Sequence, residues 1–332
     1  MSLSQVLAEG VFAKLPVLVN ENICAGKTYI ITGGNHGLGL ETARHLVRSS
    51  ATRVILTVRN MKAGETARAD IERATGRTGI IELWYLDLAS YDSIKAFASK
   101  LSSETGRIDA FIANAGVQMD RWETAEGMEL SIQVNVVSTT LLAVLIMPKL
   151  VESAKRYAIE PKLVFVGSAL GFTAKEDLAK CGKVDVFAAL NEQKRADLDQ
   201  RYALTKLVQH YAIRELADLC PVEHTGVTIN TIAPGLCSTG LGHDTSTKTR
   251  AIVGVLRAAF ARTAEQGSRT ILHGVVAEKD SHGKMLSGCK IKEYWVPKWM
   301  SDAEGTHMQK QIWSELAKIM EAQQPGCVSR IS

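Results

Sequence analysis

Two groups of residues in this chain have the types and the spacing for chemistry. Tyr202 and Lys206 stand four apart in RYALTKLVQHY, and on a helix that spacing puts both side chains on one face. An ammonium beside a phenol favours the phenolate against its ordinary pKa of ~10, which makes the tyrosine a usable acid. Ser168, in VFVGSALG, is a candidate to give a second hydrogen bond to an oxyanion forming at the same place. The other group is the run Thr32-Gly33-Gly34-Asn35-His36-Gly37-Leu38-Gly39. Glycines where a strand turns into a helix permit a tight turn and close approach of backbone to a pyrophosphate, and the helix start supplies amides to the anion. Each residue alone has a plainer reading: a core or surface aromatic for Tyr202, a turn former for Ser168, an ordinary strand-to-helix turn for the glycines.

Such residues need elements that bring them to one end of a sheet. Short β-branched runs at 28–32, 53–58, 80–86, 108–113, 163–167 and 227–232 alternate with helical periodicity at 38–49, 63–74, 90–103, 125–153 and 200–219. This alternation predicts an α/β fold, a doubly wound parallel sheet of Rossmann type with helices on both faces and ligands at the carboxyl ends of the strands. No repeat or Pro/Gly/Ser linker divides the chain, so a single domain is expected over 1–332, its core at about 26–290. From 174 to 200, 11 of 27 residues are charged. This segment is expected to be an exposed, inserted rim. It is either decoration or a lid with Val184, Val186, Phe187 and Leu190 on its inner face. Beyond it the pattern predicts helices at 250–262 and 264–278, a last strand at 284–287, a closing helix at 303–322 and a loose tail after Gln324.

Composition limits the partners. The 332 residues are 46% hydrophobic and 22% charged with a net charge of +4, enough for a large core and without the basic block of a nucleic-acid tail. The six cysteines lie at least 17 positions apart, so neither a zinc site nor a redox pair is spelled out, and no metal is expected. The most apolar stretch, 141–147, ends at Pro148, short of the ~18 residues of a membrane span. The N-terminus makes a poor secretory signal, and the final residues carry neither a prenylation box nor a peroxisomal tag. A cytoplasmic protein is therefore expected. Leu141, Leu142, Leu145 and Ile146 on the apolar helix 125–153, together with helix 200–219, exceed what one sheet face covers. They predict a homodimer or homotetramer.

Taken in order, the motifs resemble those of the short-chain dehydrogenase/reductase family in its main form. The matches are T-G-x-x-x-G-x-G from Thr32, Asp87-Leu88, Asn114-Ala115-Gly116, Asn135 in QVNVVST, Ser168, Tyr202-x-x-x-Lys206, and Pro234-Gly235 with Thr239. The pieces ARTAEQGSR and RYALTKLVQHYAIRELA are further similar to retinol-dehydrogenase-like and fungal biosynthetic members. The resemblance implies a catalytic set of Asn135, Ser168, Tyr202 and Lys206, with Asn135 anchoring a water that reprotonates the lysine. It implies cofactor contacts from Gly33, Asn35, His36, Gly37, Leu38, Gly39, Asp87, Leu88, Asn114, Ala115, Gly116, Tyr202, Lys206, Pro234, Gly235 and Thr239. Arg59 ends the second strand where an acid would select NAD, so NADP(H) is the expected cofactor, with His36 and Lys62 adding charge beside its 2′-phosphate. Three departures stand out: Gly167 before the serine, 34 positions from Ser168 to Tyr202, and the rim itself. Cys237 reads as a bystander thiol.

The expected activity is NADPH-dependent reduction of a carbonyl, or oxidation of the matching alcohol, on a hydrophobic small molecule of fungal secondary metabolism. A non-redox step on the same fold and cofactor, such as cyclisation or isomerisation, stays open. A non-catalytic NADP-binding scaffold or sensor also stays open, although it would have no need for an intact Asn135, Ser168, Tyr202 and Lys206.

Overall fold

The computed structural model describes residues 15–181, 185–238 and 261–331. β1 (Thr28–Thr32) and β2 (Arg53–Val58) run side by side in parallel register, Thr28 against Arg53 and Thr32 against Thr57. Their side chains are buried along almost their whole length, as central strands covered on both faces must be. β3 (Ile81–Tyr85), β4 (Ala110–Ala113), β5 (Lys162–Val166), β6 (Thr228–Ala233), β7 (Met285–Ser287) and β8 (Lys290–Ile291) complete the sheet. The spatial order among the described residues is β8-β7-β6-β5-β4-β1-β2-β3, parallel except at the β8 edge. The chain runs outward from β1 to β3 and returns to lay β4 beside β1, which opens a crevice at the carboxyl ends of these two strands.

The helices between the strands are α1 (Gly37–Arg48), α2 (Met61–Thr75), α3 (Tyr91–Glu104), α4 (Thr139–Tyr157) and α5 (Leu198–Leu219). Asn60 and Ser90 cap α2 and α3 by accepting from Ala63 N and Ser93 N. The long apolar helix starts later than expected and ends later. Residues Thr124–Ala125 and Met128–Glu129 form a hairpin around Glu126 and Gly127, both at positive φ. Helical structure begins at Leu130, where the Glu129 carboxylate accepts from Ser131 N and Ile132 N. A π-helical turn, Gln133–Ser138, leads into α4, which carries Pro148 inside it and continues to Tyr157. Leu130–Tyr157 thus has the length and apolarity of a membrane span, but 89% of its most apolar window is buried inside the protein. It is the central core helix.

The rim, expected to be exposed, is buried on one side. It folds into short helices, Lys175–Lys180 and Val186–Leu190, and its apolar side chains Ala174, Leu178, Val186, Phe187 and Leu190 are buried in the main core. They are not a lid's inner face, and Val184 lies outside the described residues. Its described charged residues are exposed, with Asp177 half-buried. Arg201 fastens the rim from α5: it is 3% exposed, donates to Leu190 O (3.1 Å), sits 5.7 Å over the Trp122 ring and lies 3.8 Å from the buried Glu129 carboxylate. Asn191 adds two bonds to the hairpin, to Glu129 N and Gly127 O (2.8 Å each).

The helix expected at 250–262 falls mostly outside the described residues; Arg262–Thr263 pairs as a short strand with Cys237–Ser238. α6 (Ala264–Val276) follows, opened by a Thr263/Gln266 capping box. The closing helix α7 (Ala303–Gln323) lies along α5, and its Ile312, Trp313, Leu316 and Met320 enter the main core. The tail after it is held, not loose. Gly326 N and Val328 N donate to Glu321, and Ile331 is buried with its carbonyl accepting from Cys220 Sγ (3.2 Å). Leu141, Leu142 and Ile146 are buried within the chain and Leu145 is half-buried, so the apolar excess that suggested a second copy is largely covered from within.

Candidate active site

The glycine run forms the turn from β1 to α1 at the crevice. Gly39 packs so tightly that a Cβ there would stand 2.4 Å from Gly33 O and 2.7 Å from Asn114 Nδ2, backbone and anchored side chain that cannot yield. Thr32, absent from the predicted site residues although it opens the motif, is the fastener: its Oγ1 accepts from both Asn114 N and Ala115 N (2.9 Å each). Asn114 Nδ2 in turn donates to Thr32 O (2.9 Å) and Gly33 O (3.2 Å). Asn114 therefore shapes the loop. His36 occupies the helix N-cap position without a side-chain capping bond, which leaves the first amides of α1 for an anion. Asn35 and Leu38 are half-buried and His36 is exposed. Gly33 and Gly37 take positive φ. The ARTAEQGSR segment supports this turn from outside: Gly267 lets α6 come so close that a Cβ would lie 2.7 Å from Leu38, and Glu265 accepts from Arg269 and pairs with His45 (2.8 Å).

Around the same crevice, Arg59 and Lys62 are exposed at the end of β2 and the start of α2. Asp87 is half-buried, and its Oδ1 accepts from Ala89 N (2.9 Å). The Leu88 side chain belongs to the core and its carbonyl accepts from Ser138. Pro234 O accepts from Arg262 Nη1 (2.8 Å), a residue not foreseen here, and Gly235 at φ +85° lies against that guanidinium. Thr239 lies outside the described residues.

The predicted reacting residues converge at the end of β5. The chain leaves β5 through Gly167 and Ser168 into a turn, Ala169–Thr173, that packs on α5; a Cβ on Gly171 would stand 2.8 Å from Leu207 N. Ser168 Oγ accepts from Leu170 N (3.2 Å), which leaves its proton to donate. Tyr202 is half-buried, and its ring centre lies 5.8 Å from Lys206 Nζ. Lys206 is 5% exposed and donates to Val166 O (2.8 Å) and Gln209 Oε1 (3.0 Å). Burial pushes its ammonium down to about 8. A Cβ on Gly116 would stand 3.1 Å from Asn135 Oδ1 and 4.0 Å from Lys206 Nζ, so the turn after β4, the π-helical asparagine and the lysine meet at one point.

The Asn135 side chain accepts from Val117 N (2.8 Å) and donates to Val117 O (2.8 Å) and Thr205 Oγ1 (3.2 Å), while its carbonyl accepts from Gln209 Nε2 (2.8 Å). It locks the loop after β4 to the catalytic helix. Thr205 and Gln209 were missed because nothing in their local sequence distinguishes them from other polar helix residues.

With the geometry in place, comparison with known proteins decides the family. A sequence profile described as short chain dehydrogenase matches residues 27–180. The short chain dehydrogenase/reductase dmxR8 of Cryptosporiopsis sp. (strain 8999) is 39% identical over 310 residues, 92% of this chain and 94% of that one. The chain belongs to the short-chain dehydrogenase/reductase family. The short chain dehydrogenase atnD of Emericella nidulans is 41% identical over 77% of this chain and 82% of its own. The short-chain dehydrogenase anuD of Penicillium roqueforti is 34% identical over 98% and 85%. Among solved structures, the RhlG/NADP active-site complex of Pseudomonas aeruginosa superposes with a TM-score of 0.58 at 20% identity, over 85% of this chain and 97% of that one. A short-chain type dehydrogenase/reductase from Mycobacterium marinum gives 0.58 at 17%, over 82% and 96%. In this short-chain dehydrogenase/reductase, Tyr202 and Lys206 lie beyond the residues the profile matches, on the far side of the rim.

Proposed function

We propose that this oxidoreductase uses NADPH to reduce the carbonyl of a hydrophobic small molecule, or oxidises the matching alcohol, in fungal secondary metabolism. The observation that carries the reading is Tyr202 one helical turn before a buried Lys206 whose ammonium stands beside Asn135 and Gly116 at the carboxyl end of the sheet. A dinucleotide fits the other side of the crevice. Gly39 leaves no room for a Cβ, the α1 amides carry no side-chain cap, and Arg59 is exposed at the end of β2. The glycine loop would hold the pyrophosphate, Asp87 the adenine, and Arg59 with His36 and Lys62 the 2′-phosphate. When bound, the reduced nicotinamide supplies hydride to the substrate's carbonyl carbon.

The chain's own residues handle the proton and the charge. Tyr202 gives its phenolic proton to the carbonyl oxygen, while Ser168 donates a hydrogen bond to the same oxygen and so holds the carbonyl in line. The Lys206 ammonium stabilises the phenolate left behind, more strongly in a buried site than in water. Leu170, 41% exposed beside Ser168, and the half-buried Phe172 offer an apolar wall, which supports a hydrophobic substrate. The fungal origin of the relatives named above supports the metabolic setting. The test is loss of NADPH absorbance with a panel of ketones and aldehydes, paired with product mass. Products heavier by two hydrogens, with NADPH consumed in equal amount, are expected. Products isomeric with the substrate and no NADPH consumed would replace redox chemistry by a cyclase or isomerase reading.

A further inference from the structure

Gln209 lies one turn beyond Lys206 on α5, with its side chain 2% exposed and both ends of its amide engaged. Its Oε1 accepts from Lys206 Nζ (3.0 Å), and its Nε2 donates to Asn135 O (2.8 Å), 74 positions earlier in the π-helical turn. Chemistry dictates which way the amide points. Turned over, it would set an NH₂ against an ammonium and an oxygen against a carbonyl. We propose that Gln209 is a positioning residue of the active site: its amide bridges Lys206 Nζ to Asn135 O and so fixes the ammonium relative to Tyr202.

The proposal rests on the reading of Tyr202 and Lys206 given above. An ammonium has three N–H groups. Val166 O takes one and Gln209 Oε1 a second, so the third is aimed by elimination at the remaining open side, where Tyr202 and the cleft lie. The acceptors are neutral. Among the described residues no carboxylate bonds Lys206, and the groups facing it are Tyr202 on its own helix, Gly116 and Asn135 from the turn after β4 and the π-helical turn, and Val166 O from β5. The neighbouring His210 turns away to meet the Phe172 ring edge-on at 5.4 Å, and burial with Arg214 nearby keeps its pKa down at about 3, so it is neutral. Two carbonyl dipoles are therefore what holds a charge in this buried place, and one of them is Gln209.

The test follows the Lys206 ammonium in the protein without cofactor, by NMR of side-chain-labelled lysine. In the wild type its titration midpoint is expected near about 8. Gln209→Met removes the dipole and lowers the midpoint, whereas Gln209→Glu brings a carboxylate to the ammonium and raises it. Opposite shifts mark direct contact. Equal midpoints in wild type and both variants would overturn the proposal. Should neither variant fold, the wild-type Gln209 side-chain NH₂ signals decide, since they must move with the lysine's midpoint and a bystander's would not. With NADPH and phenanthrenequinone as the reducible probe, kcat of Gln209→Met is expected to fall between about 10- and 100-fold, the cost of a misplaced group, with little change in KM for the probe. Tyr202→Phe is run alongside. If it keeps full activity, the catalytic reading itself fails; if it is inactive while Gln209→Met matches wild type in both kcat and lysine midpoint, only the role of Gln209 is lost.

Discussion

Replacing Arg201 by Met tests whether the rim is built into the core. The guanidinium and the Glu129 carboxylate are 3% and 0% exposed and 3.8 Å apart, without a hydrogen bond between them. Breaking a buried pair costs about 3–5 kcal/mol because the remaining charge is stranded. Here the lower end applies, since Glu129 keeps its two backbone donors, Ser131 N and Ile132 N. Loss of the bond to Leu190 O adds about 1 kcal/mol and loss of the contact with Trp122 about 0.5 kcal/mol, while Met retains the aliphatic packing. Since these terms overlap, a total of about 3–4 kcal/mol is expected. For a chain of this size that corresponds to a fall in Tm of roughly 6–10 °C. Far-UV circular dichroism melts measure it, with urea unfolding to confirm an unchanged m. The double variant Arg201→Met, Glu129→Gln should recover part of the loss, because it no longer strands a charge. A Tm within about 2 °C of wild type would show that the rim is not fastened by this cluster and would restore the mobile lid.

Three further outcomes follow from the site and the late helices. Tyr202→Phe keeps the ring and removes the acid, so kcat should fall by at least about 10²-fold while NADPH binding, followed by fluorescence, is nearly kept; retained turnover would sink the assignment of the proton donor. Arg59→Asp exchanges attraction for repulsion at the 2′-phosphate, and titrations with NADPH and NADH should show the preference inverted. Unchanged NADPH affinity would move the phosphate to His36 or Lys62. Because α7 covers α5 and all the α4 leucines but Leu145 are buried from within, light scattering is expected to give the monomer mass of 36.1 kDa; two or four times that mass would return the homodimer or homotetramer.

What was legible in the sequence is what local pattern controls. β1 and β2 were read to the residue because a strand buried on both faces is an unbroken β-branched run ended by turn formers. Tyr202 and Lys206 were legible from spacing, and the glycine loop from its position after β1. The rim was misread because charge dominates its composition, while its apolar residues sit in helices of five and six residues, too short to show a period. The hairpin at 124–129 was absorbed into the helix beside it. Leu141 and its neighbours are buried within the chain, and a pattern cannot say which elements cover an apolar face. Gln209 escaped for a related reason. Its importance is a contact with Asn135 across 74 positions, and neither residue's neighbours announce it.

The position of α7 also orders the events of synthesis. The strands β1 to β4 pair with one another within the first part of the chain, whereas α5 receives its outer cover from residues made much later: Gln309 bonds Glu215 and Asp218 across 94 and 91 positions, and Ile331 bonds Cys220 across 111. Until residues 303–331 have been made, the outer side of the catalytic helix lacks this cover, and a growing chain with such a face exposed is a ready substrate for holdase chaperones. A stop codon shortly before residue 303 would therefore spare every residue assigned to cofactor or catalysis and still leave a protein that aggregates.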